Sequence, residues 1–542
     1  MIGSMQDWPL LVSRLIDHAA RNHGEREIVT LTGEGVLRRS NWRMVHGRAK
    51  RVAAALARLG IGIGDRVATM AWNSDRHIEC WYGISGMGAV AHTLNPRLFR
   101  GQIAYIINHA EDRVLCFDAD LLPIVEEIAP GLMSVERFVV LADRRQMPAS
   151  ALDLLCYEEL LAAEDESFEW ATLEETAPAG LCYTSGTTGN PKGVLYNHRT
   201  NVLHGLGVSG IDAFALSSLS VILPVVPMYH ANAWGIPYAA AAMGSKLVLN
   251  GPHFDAPTLH RLLIEENATI SAGVPTIWFG LLDHVTRHGL DFGKVKRVIS
   301  GGSAVPRSMI DTLERKYGIT LVQAWGMTEM SPLGTAGGLC AGTADAPWEQ
   351  QLDQKCRQGR PVFGVELSLR DDDGNVLPHD GKSVGHLMSR GAWVIEHYFK
   401  GEGGPVIDKD GWFDTGDIAS IDRMGYVQIT DRAKDVIKSG GEWISSIDLE
   451  NVAVGHPAIA EAAVIGLPHP KWDERPLLIV VMQPGSTLAK HDLMDYLSDK
   501  VVRWWLPNDV VFVESLPHTA TGKLQKTALR ELFRDHCWPE SG

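Results

Sequence analysis

The sequence predicts an α/β protein in two unequal parts: a large N-terminal domain of helix-covered mixed sheets plus a β-rich subdomain, and a small α+β C-terminal domain. Three observations predict it. Over the first 180 residues, helical and strand patterns alternate, as strands joined by helical crossovers do. Four later apolar runs end in small or polar residues, which suits ligand contact at the carboxyl ends of sheet strands. Beyond about residue 360, short strands and turns replace the alternation.

Each element follows in order. Val45 to Leu59 has apolar residues at helical spacing with Arg48, Lys50, Arg51 and Arg58 between them, and Gly60 suits the end of a helix. Arg66 to Trp72 reads as a strand and His77 to about Met87 as the next helix. The four endings are Ala179 to Tyr183, running into a Ser/Thr/Gly loop; Val221 to Val226, ending at Pro227-Met228-Tyr229-His230; Val295 to Ile299, ending at Ser300-Gly301-Gly302-Ser303; and Leu321 to Trp325, ending at Gly326-Met327-Thr328-Glu329. Any one of them is most simply a turn. Four together point to a shared site. Val365 to Leu369 and Gly385 to Leu387 are strand-like. The last hundred residues offer a helix at Asp448 to Val454, strands at Ala462 to Ile465 and Leu477 to Met482, and a helix from His491 to about Trp504. The domain boundary falls in the charged stretch between Asp431 and Asp435.

Composition narrows the function. Of 542 residues, 45% are hydrophobic and 21% charged, enough core-forming material to exclude disorder as the main state. A net charge of −15 speaks against a nucleic-acid surface, which needs a basic patch. It leaves room for a nucleotide, which needs only a local site. Seven dispersed cysteines without a CxxC pair suggest neither a disulfide framework nor a zinc site, and point to a reducing compartment. No signal-peptide core and no membrane-length apolar run is evident. A cytoplasmic location is expected.

The strongest local signal is Tyr183-Thr184-Ser185-Gly186-Thr187-Thr188-Gly189-Asn190-Pro191-Lys192-Gly193-Val194. Glycines allow close backbone approach, hydroxyls donate hydrogen bonds and Lys192 supplies charge, a combination suited to a polyphosphate. It is not a Walker A loop, since Pro191 and Gly193 stand where that motif needs Gly and Ser/Thr.

This segment resembles the phosphate-binding signature of the adenylate-forming superfamily, which comprises acyl-CoA synthetases, luciferases and adenylation domains. Four further motifs resemble that family in the right order: Trp325-Gly326-Met327-Thr328-Glu329, Gly411 to Asp417, Asp431 to Glu442, and Pro517 to Lys523. The resemblance spans nearly the whole chain. It implies ATP, magnesium and coenzyme A as co-substrates and cofactor, with a small carboxylic acid as the partner. The carboxylate attacks the α-phosphate and expels pyrophosphate; a thiol then displaces AMP. Charge growing around phosphorus calls for cations and backbone N–H groups.

By the same resemblance, Thr184, Ser185, Gly186, Thr187, Thr188, Gly189 and Lys192 hold the phosphates, and Glu329 is the magnesium ligand. Gly302, Ser303, Ala304, Trp325, Gly326, Met327 and Thr328 lie along adenine, and Asp417 with Arg432 takes the ribose. Met228 to Trp234 resembles the start of the acyl-pocket helix. It puts His230 beside the reacting carboxylate and lets Trp234 shorten an acyl tunnel that Gly302 and Gly326 help to line. The implied domains are 1–432, a hinge at 433–435 with Lys434 and Asp435, and a mobile domain at 436–542. Lys523 is the implied catalytic lysine of adenylation. Lys438, Ser439, Gly440, Gly441, Glu442 and Trp443 then guide the thiol of CoA. A narrower resemblance, carried by Lys355 to Pro361, is to bacterial medium-chain acyl-CoA synthetases and 3-methylmercaptopropionyl-CoA ligases.

Three functions stay open at this point. The first is an AMP-forming acid–CoA ligase acting on a short- to medium-chain acid, 3-methylmercaptopropionate among the candidates. The second is a stand-alone adenylation enzyme with a carrier protein or other acceptor, or a luciferase-like oxygenase; the expected lack of a carrier domain after residue 542 favours CoA. The third is a non-catalytic nucleotide-binding protein, in which Lys523 would have no role. The oligomeric state is open, a homodimer included.

Overall fold

The computed structural model describes residues 3–184, 190–439, 442–469, 471–518 and 524–539, and only the backbone of Glu442 and Trp443. Two largely parallel sheets form the bulk of the large domain. The nine-stranded sheet has six parallel strands, in spatial order Thr320–Gly326, Arg297–Gly301, Ile270–Gly273, Val221–Pro224, Lys246–Leu249 and Glu27–Leu31, with antiparallel strands at both edges. In the seven-stranded sheet all neighbours are parallel except the last pair, Pro178–Tyr183 with Gly193–Asn197. Both sheets are therefore mixed, as the sequence suggests.

One continuous core joins them. Val67 and Ala91 of one sheet and Ile222 and Leu247 of the other pack into it together with the helices Asp75–Gly86 and Ile236–Met243. Every residue of Asp75–Gly86 is buried, so its polar side chains need partners inside the protein. Asp75 accepts from Thr30 Oγ1 at 3.1 Å, His77 Nε2 meets Thr69 Oγ1 at 2.9 Å, and Glu79 accepts from Tyr157 at 2.7 Å. The Trp42–Arg58 helix begins where Asn41 accepts from the Met44 N–H and turns Val45, Ala49, Val52 and Leu56 inward.

The β-rich part is a four-stranded antiparallel meander of Val365–Arg370, Val384–Gly391, Phe413–Ile421 and Val427–Arg432. The small domain has a five-stranded sheet centred on Asp473–Met482, with helices Ser446–Val454, Lys490–Ser498 and Lys526–Leu532. The strands expected at 462–465 and 477–482 pair with each other, as parts of a longer hairpin, Ile459–His469 with Asp473–Met482. One expectation needs correction there. The helix expected to reach Trp504 stops at Ser498, and extended backbone at Val502 leads into a short turn at Arg503–Trp505. The turn places Trp504 edge-on to Trp472, with its ring 4.8 Å from the Arg475 guanidinium carbon; aromatic and cation–π packing takes over from helix continuation.

Among the described residues, no helix is long and apolar enough to cross a membrane. All seven cysteines are free thiols.

Candidate functional site

The strand Pro178–Tyr183 runs into the Ser/Thr/Gly segment at its carboxyl end, and Gly193–Asn197 leads away from it. Tyr183 and Gly193 face each other at the end of an antiparallel pair. Beyond them the neck of the loop is closed by Thr184 N–H to Lys192 O at 2.9 Å and Lys192 N–H to Thr184 Oγ1 at 3.2 Å. Ser185, Gly186, Thr187, Thr188 and Gly189 lie outside the described residues. A Cβ at Gly193 would stand 2.9 Å from Phe399 and 3.1 Å from Tyr183, which is why that position is glycine and not the hydroxyl residue of a Walker loop.

Glu329 sits on the short turn Thr328–Met330, which follows the strand Thr320–Gly326, and is 8% exposed. The Tyr398 hydroxyl donates to its Oε1 at 2.9 Å. Burial, with the carboxylate beside it, pushes the Tyr398 pKa up, so the hydroxyl keeps its proton to donate. The Lys192 ammonium lies 4.8 Å from the centre of the same Tyr398 ring. The Tyr196 hydroxyl donates to the Thr328 carbonyl at 2.7 Å, which braces the second loop strand against the glutamate turn. Lys192 and Glu329 are thus held on either side of one tyrosine. Tyr398→Phe should raise the half-saturating concentration of magnesium–ATP about tenfold, the scale of one hydrogen bond to a charged group. An unchanged titration would show that the hydroxyl only fills space.

Asp417 collects a second cluster. It is 3% exposed, accepts from the Trp325 indole N–H at Oδ2 (2.8 Å), and pairs with Arg432 Nε at Oδ1 (2.9 Å). Arg432 also donates to the Thr415 carbonyl at 3.3 Å. An ionised carboxylate can take several donors at once. Trp325 is more than an aromatic wall, because its N–H fixes the carboxylate. Its ring rests on glycine: a Cβ at Gly334 would come within 2.5 Å of it. A Cβ at Gly326 would collide with the Pro332 carbonyl. Met327 is half-buried next to it.

Trp234 and His230 flank a backbone feature that the helix-start expectation misses. Ala231, Asn232, Ala233, Trp234 and Gly235 all have positive φ, between 43° and 73°, and the right-handed helix begins only at Ile236. Consecutive left-handed residues are rare because the Cβ of an L-residue crowds the next carbonyl. Here the reversal swings the Trp234 indole against the end of Arg297–Gly301. A Cβ on Gly301 would lie 3.3 Å from the indole and 2.6 Å from the Ala324 carbonyl. His204 lies under Gly235; burial lowers its pKa to about 3, and its neutral Nε2 accepts the Leu333 N–H at 3.0 Å. Gly302 (φ 88°) and Ser303 are exposed and Ala304 half-buried at the same strand end. His230 shares a small pocket with Thr184, Tyr183 and Tyr229. The Tyr229 hydroxyl is buried with no hydrogen-bond partner among the described residues, and burial pushes its pKa up to about 12.

Other expected residues sit on the small domain or the turn before it. Lys434 is exposed, and Asp435 pairs with Arg530 at 2.7 Å. Lys438 and Ser439 belong to the strand Ile437–Ser439; the Lys438 N–H donates to Glu474, and Ser439 accepts from Arg475 at 3.1 Å. The backbone of Glu442 and Trp443 is in the adjoining strand. Gly440, Gly441 and Lys523 lie outside the described residues. Tyr398, Tyr196, Tyr229 and His204 were not found from sequence. Of these only Tyr229 had a signal, its place beside His230.

A single glutamate and no larger acidic group suits magnesium. Among the described residues no set of three or more His, Cys, Asp or Glu could hold a metal. Magnesium commonly takes one or two carboxylates and completes its shell with water and phosphate oxygens. Glu329, with one oxygen held by Tyr398 and the other available, fits that pattern.

Comparison with known proteins identifies the family. Residues 16–399 match the AMP-binding enzyme family, and residues 448–523 match the AMP-binding enzyme C-terminal domain. The chain is 51% identical over 536 residues to 3-methylmercaptopropionyl-CoA ligase of Ruegeria pomeroyi, covering 99% of each chain. It is 48% identical to medium-chain-fatty-acid–CoA ligase of Ectopseudomonas oleovorans, covering 99% of this chain and 98% of that one. Its fold is that of the anthranilate CoA ligase AuaEII solved with anthranoyl-AMP, at TM-score 0.86 and 24% identity, over 97% of this chain and 99% of that one.

Proposed function

Because the chain belongs to the AMP-binding enzyme family and is an ATP-dependent, AMP-forming acid–CoA ligase, we propose that it activates a short- to medium-chain carboxylic acid, with 3-methylmercaptopropionate the leading candidate. The observation that carries this is Trp234, whose indole stands against Gly301 at the end of a central strand and fills space that a long acyl chain would need. The names of the two relatives point the same way.

In this reading the loop from Thr184 to Lys192 cradles the phosphates with backbone N–H groups and hydroxyls, and Lys192 offsets their charge. Glu329, held by Tyr398, is the protein's magnesium ligand; the ion supplies neutralising charge at the phosphate oxygens. Asp417 accepts from the ribose hydroxyls while Trp325 and Arg432 fix its orientation. Gly302, Ser303, Ala304, Gly326, Met327 and Thr328 border adenine and the acyl group, and His230 orients the carboxylate. Domains at 1–432 and 436–542 turn about Lys434 and Asp435. Lys523 serves adenylation, and Lys438 to Trp443 serve thioester formation. The enzyme works in the cytoplasm.

A panel of C3 to C12 acids, sulfur-substituted ones included, tests the reading by CoA-thioester formation. The best turnover is expected at the short end, and a maximum at C12 would overturn it. Trp234→Gly should shift the profile toward longer acids. At φ 55° glycine is at ease, so the variant should lose no stability through its backbone. An unchanged profile would make Trp234 a core residue only.

A further inference from the structure

The last turn of the helix Arg100–Ala110 meets the residue before the phosphate loop and the residue after Tyr398, in contacts that the reaction just described leaves unused. Tyr183, the residue before the loop, is buried, so its hydroxyl needs a partner inside the protein. His109 Nδ1 is that partner, at 2.7 Å. Burial pushes the Tyr183 pKa up, and burial together with the Lys400 ammonium lowers that of His109. The phenol therefore donates to a neutral imidazole. Two further neighbours fix the Tyr183 ring. The ring of His92, itself paired with Asp112 at 2.8 Å in the interior, is centred 5.2 Å away, and a Cβ at Gly193 would stand 3.1 Å from the Tyr183 Cζ.

The same imidazole stands edge-on to Phe399, with ring centres 5.9 Å apart at 84°. It also stacks on Tyr105, at 5.5 Å and 11°, as residues four apart on a helix can. The Tyr105 hydroxyl has the Asn190 amide of the loop beside it. Phe399 directly follows Tyr398, and its Cβ would be 2.9 Å from a Cβ at Gly193. Gly193 directly follows Lys192. Just past the helix, Glu111 pairs with Lys400 at 2.5 Å, a second hold on the turn Phe399–Gly401. Tyr183, Gly193 and Phe399 thus form one packed group, and His109 touches two of its three members.

We propose that His109 is a positioning residue for ATP: by holding Tyr183 and Phe399 against Gly193, it sets the spacing between Lys192 and Tyr398. This rests on the reading above, in which Lys192 offsets phosphate charge and Tyr398 orients Glu329. The Lys192 ammonium stands 4.8 Å from the Tyr398 ring centre, yet the two residues come from distant parts of the chain, so packing has to keep them in register. Each is one residue away from a member of the packed group. A ring that touches both segments passes its own placement on to both, and His109 needs no contact with the nucleotide to do so.

His109→Ala removes the acceptor and the ring together. In acid-dependent pyrophosphate release, the KM for magnesium–ATP should rise about tenfold while kcat stays near wild type. Conversion of supplied acyl-AMP and CoA to thioester should also stay near wild type, because acyl-AMP carries no β- or γ-phosphate. His109→Asn places an amide oxygen near the position of Nδ1 and should restore much of the KM. Tyr183→Phe keeps the ring but lacks the hydroxyl, and should raise the KM by a similar factor; it carries the test alone if His109→Ala unfolds. An unchanged KM in either variant, or equal losses in both half-reactions, overturns the assignment, as does an Asn variant no better than Ala. Lys192→Met measured alongside separates the failures. If it raises the KM while His109→Ala does not, only the assignment of His109 is wrong; if Lys192→Met leaves the KM unchanged, the phosphate reading beneath it falls as well.

Discussion

Lys523→Ala should lose adenylation by about 10²–10³-fold, the cost of removing one preorganised group from developing charge, and still turn supplied acyl-AMP and CoA into thioester. The asymmetry follows from chemistry. In adenylation a carboxylate approaches an α-phosphate, two anions forced together, and a cation between them lowers the barrier. In thioester formation the adenylate is already made and the incoming group is a thiol. A lysine at the same place gains nothing there and obstructs the approach. Quenched-flow measurement of pyrophosphate release, set beside thioester formation from synthetic acyl-AMP, gives both rates on one preparation. Equal damage to the two, or damage to neither, would refute the division of labour. Lys434→Pro should show the reverse pattern. With 433–435 as the proposed hinge, fixing φ there is expected to slow the swing more than the first chemical step.

Glu329→Gln is the second large effect expected. The amide oxygen can still accept from Tyr398, which now donates at 2.9 Å, so the turn Thr328–Met330 and the melting temperature should hold. What goes is the negative charge. Magnesium binds through hard anionic oxygens, so its half-saturating concentration should rise steeply. Pyrophosphate release at a fixed low magnesium concentration should drop about a hundredfold. A titration that overlays wild type would remove Glu329 from the metal's shell and leave it as a partner of Tyr398 alone.

Local signals carried most of the fold and marked the strand ends around which the candidate site is built. The strands ending at Tyr183, Pro224, Gly301 and Gly326 are apolar runs closed by Gly, Pro or hydroxyl residues, and such punctuation survives in sequence because backbone geometry demands it at each position. Gly326 is legible for the same reason, since a side chain there would meet the Pro332 carbonyl. Long-range pairs leave no such mark. Trp325 donates to Asp417 across 92 positions, and Tyr398 reaches Glu329 across 69; nothing near either tyrosine or tryptophan announces its partner. The helix that stops at Ser498 shows the same limit. Its periodicity continues toward Trp504, but the indole gains more from Trp472 and Arg475 than another helical turn would offer.

The left-handed run from Ala231 to Gly235 bears on how such an enzyme can be retailored. A pocket wall built on ordinary helix accepts nearly any side chain, so directed evolution can lengthen or shorten the cavity one residue at a time. The acyl wall proposed above is different. Each L-residue placed at positive φ carries a penalty of about 1–2 kcal/mol, and β-branched residues fare worst there. Libraries that randomise 231–234 should therefore return mostly Gly, Ala and Asn among the folded clones, whatever acid is used for selection. Valine, isoleucine and threonine should be depleted even where their volume suits the substrate. Variation that enlarges the range of acids should come instead from removing the indole outright, or from the facing strand ends, where the backbone imposes no such filter.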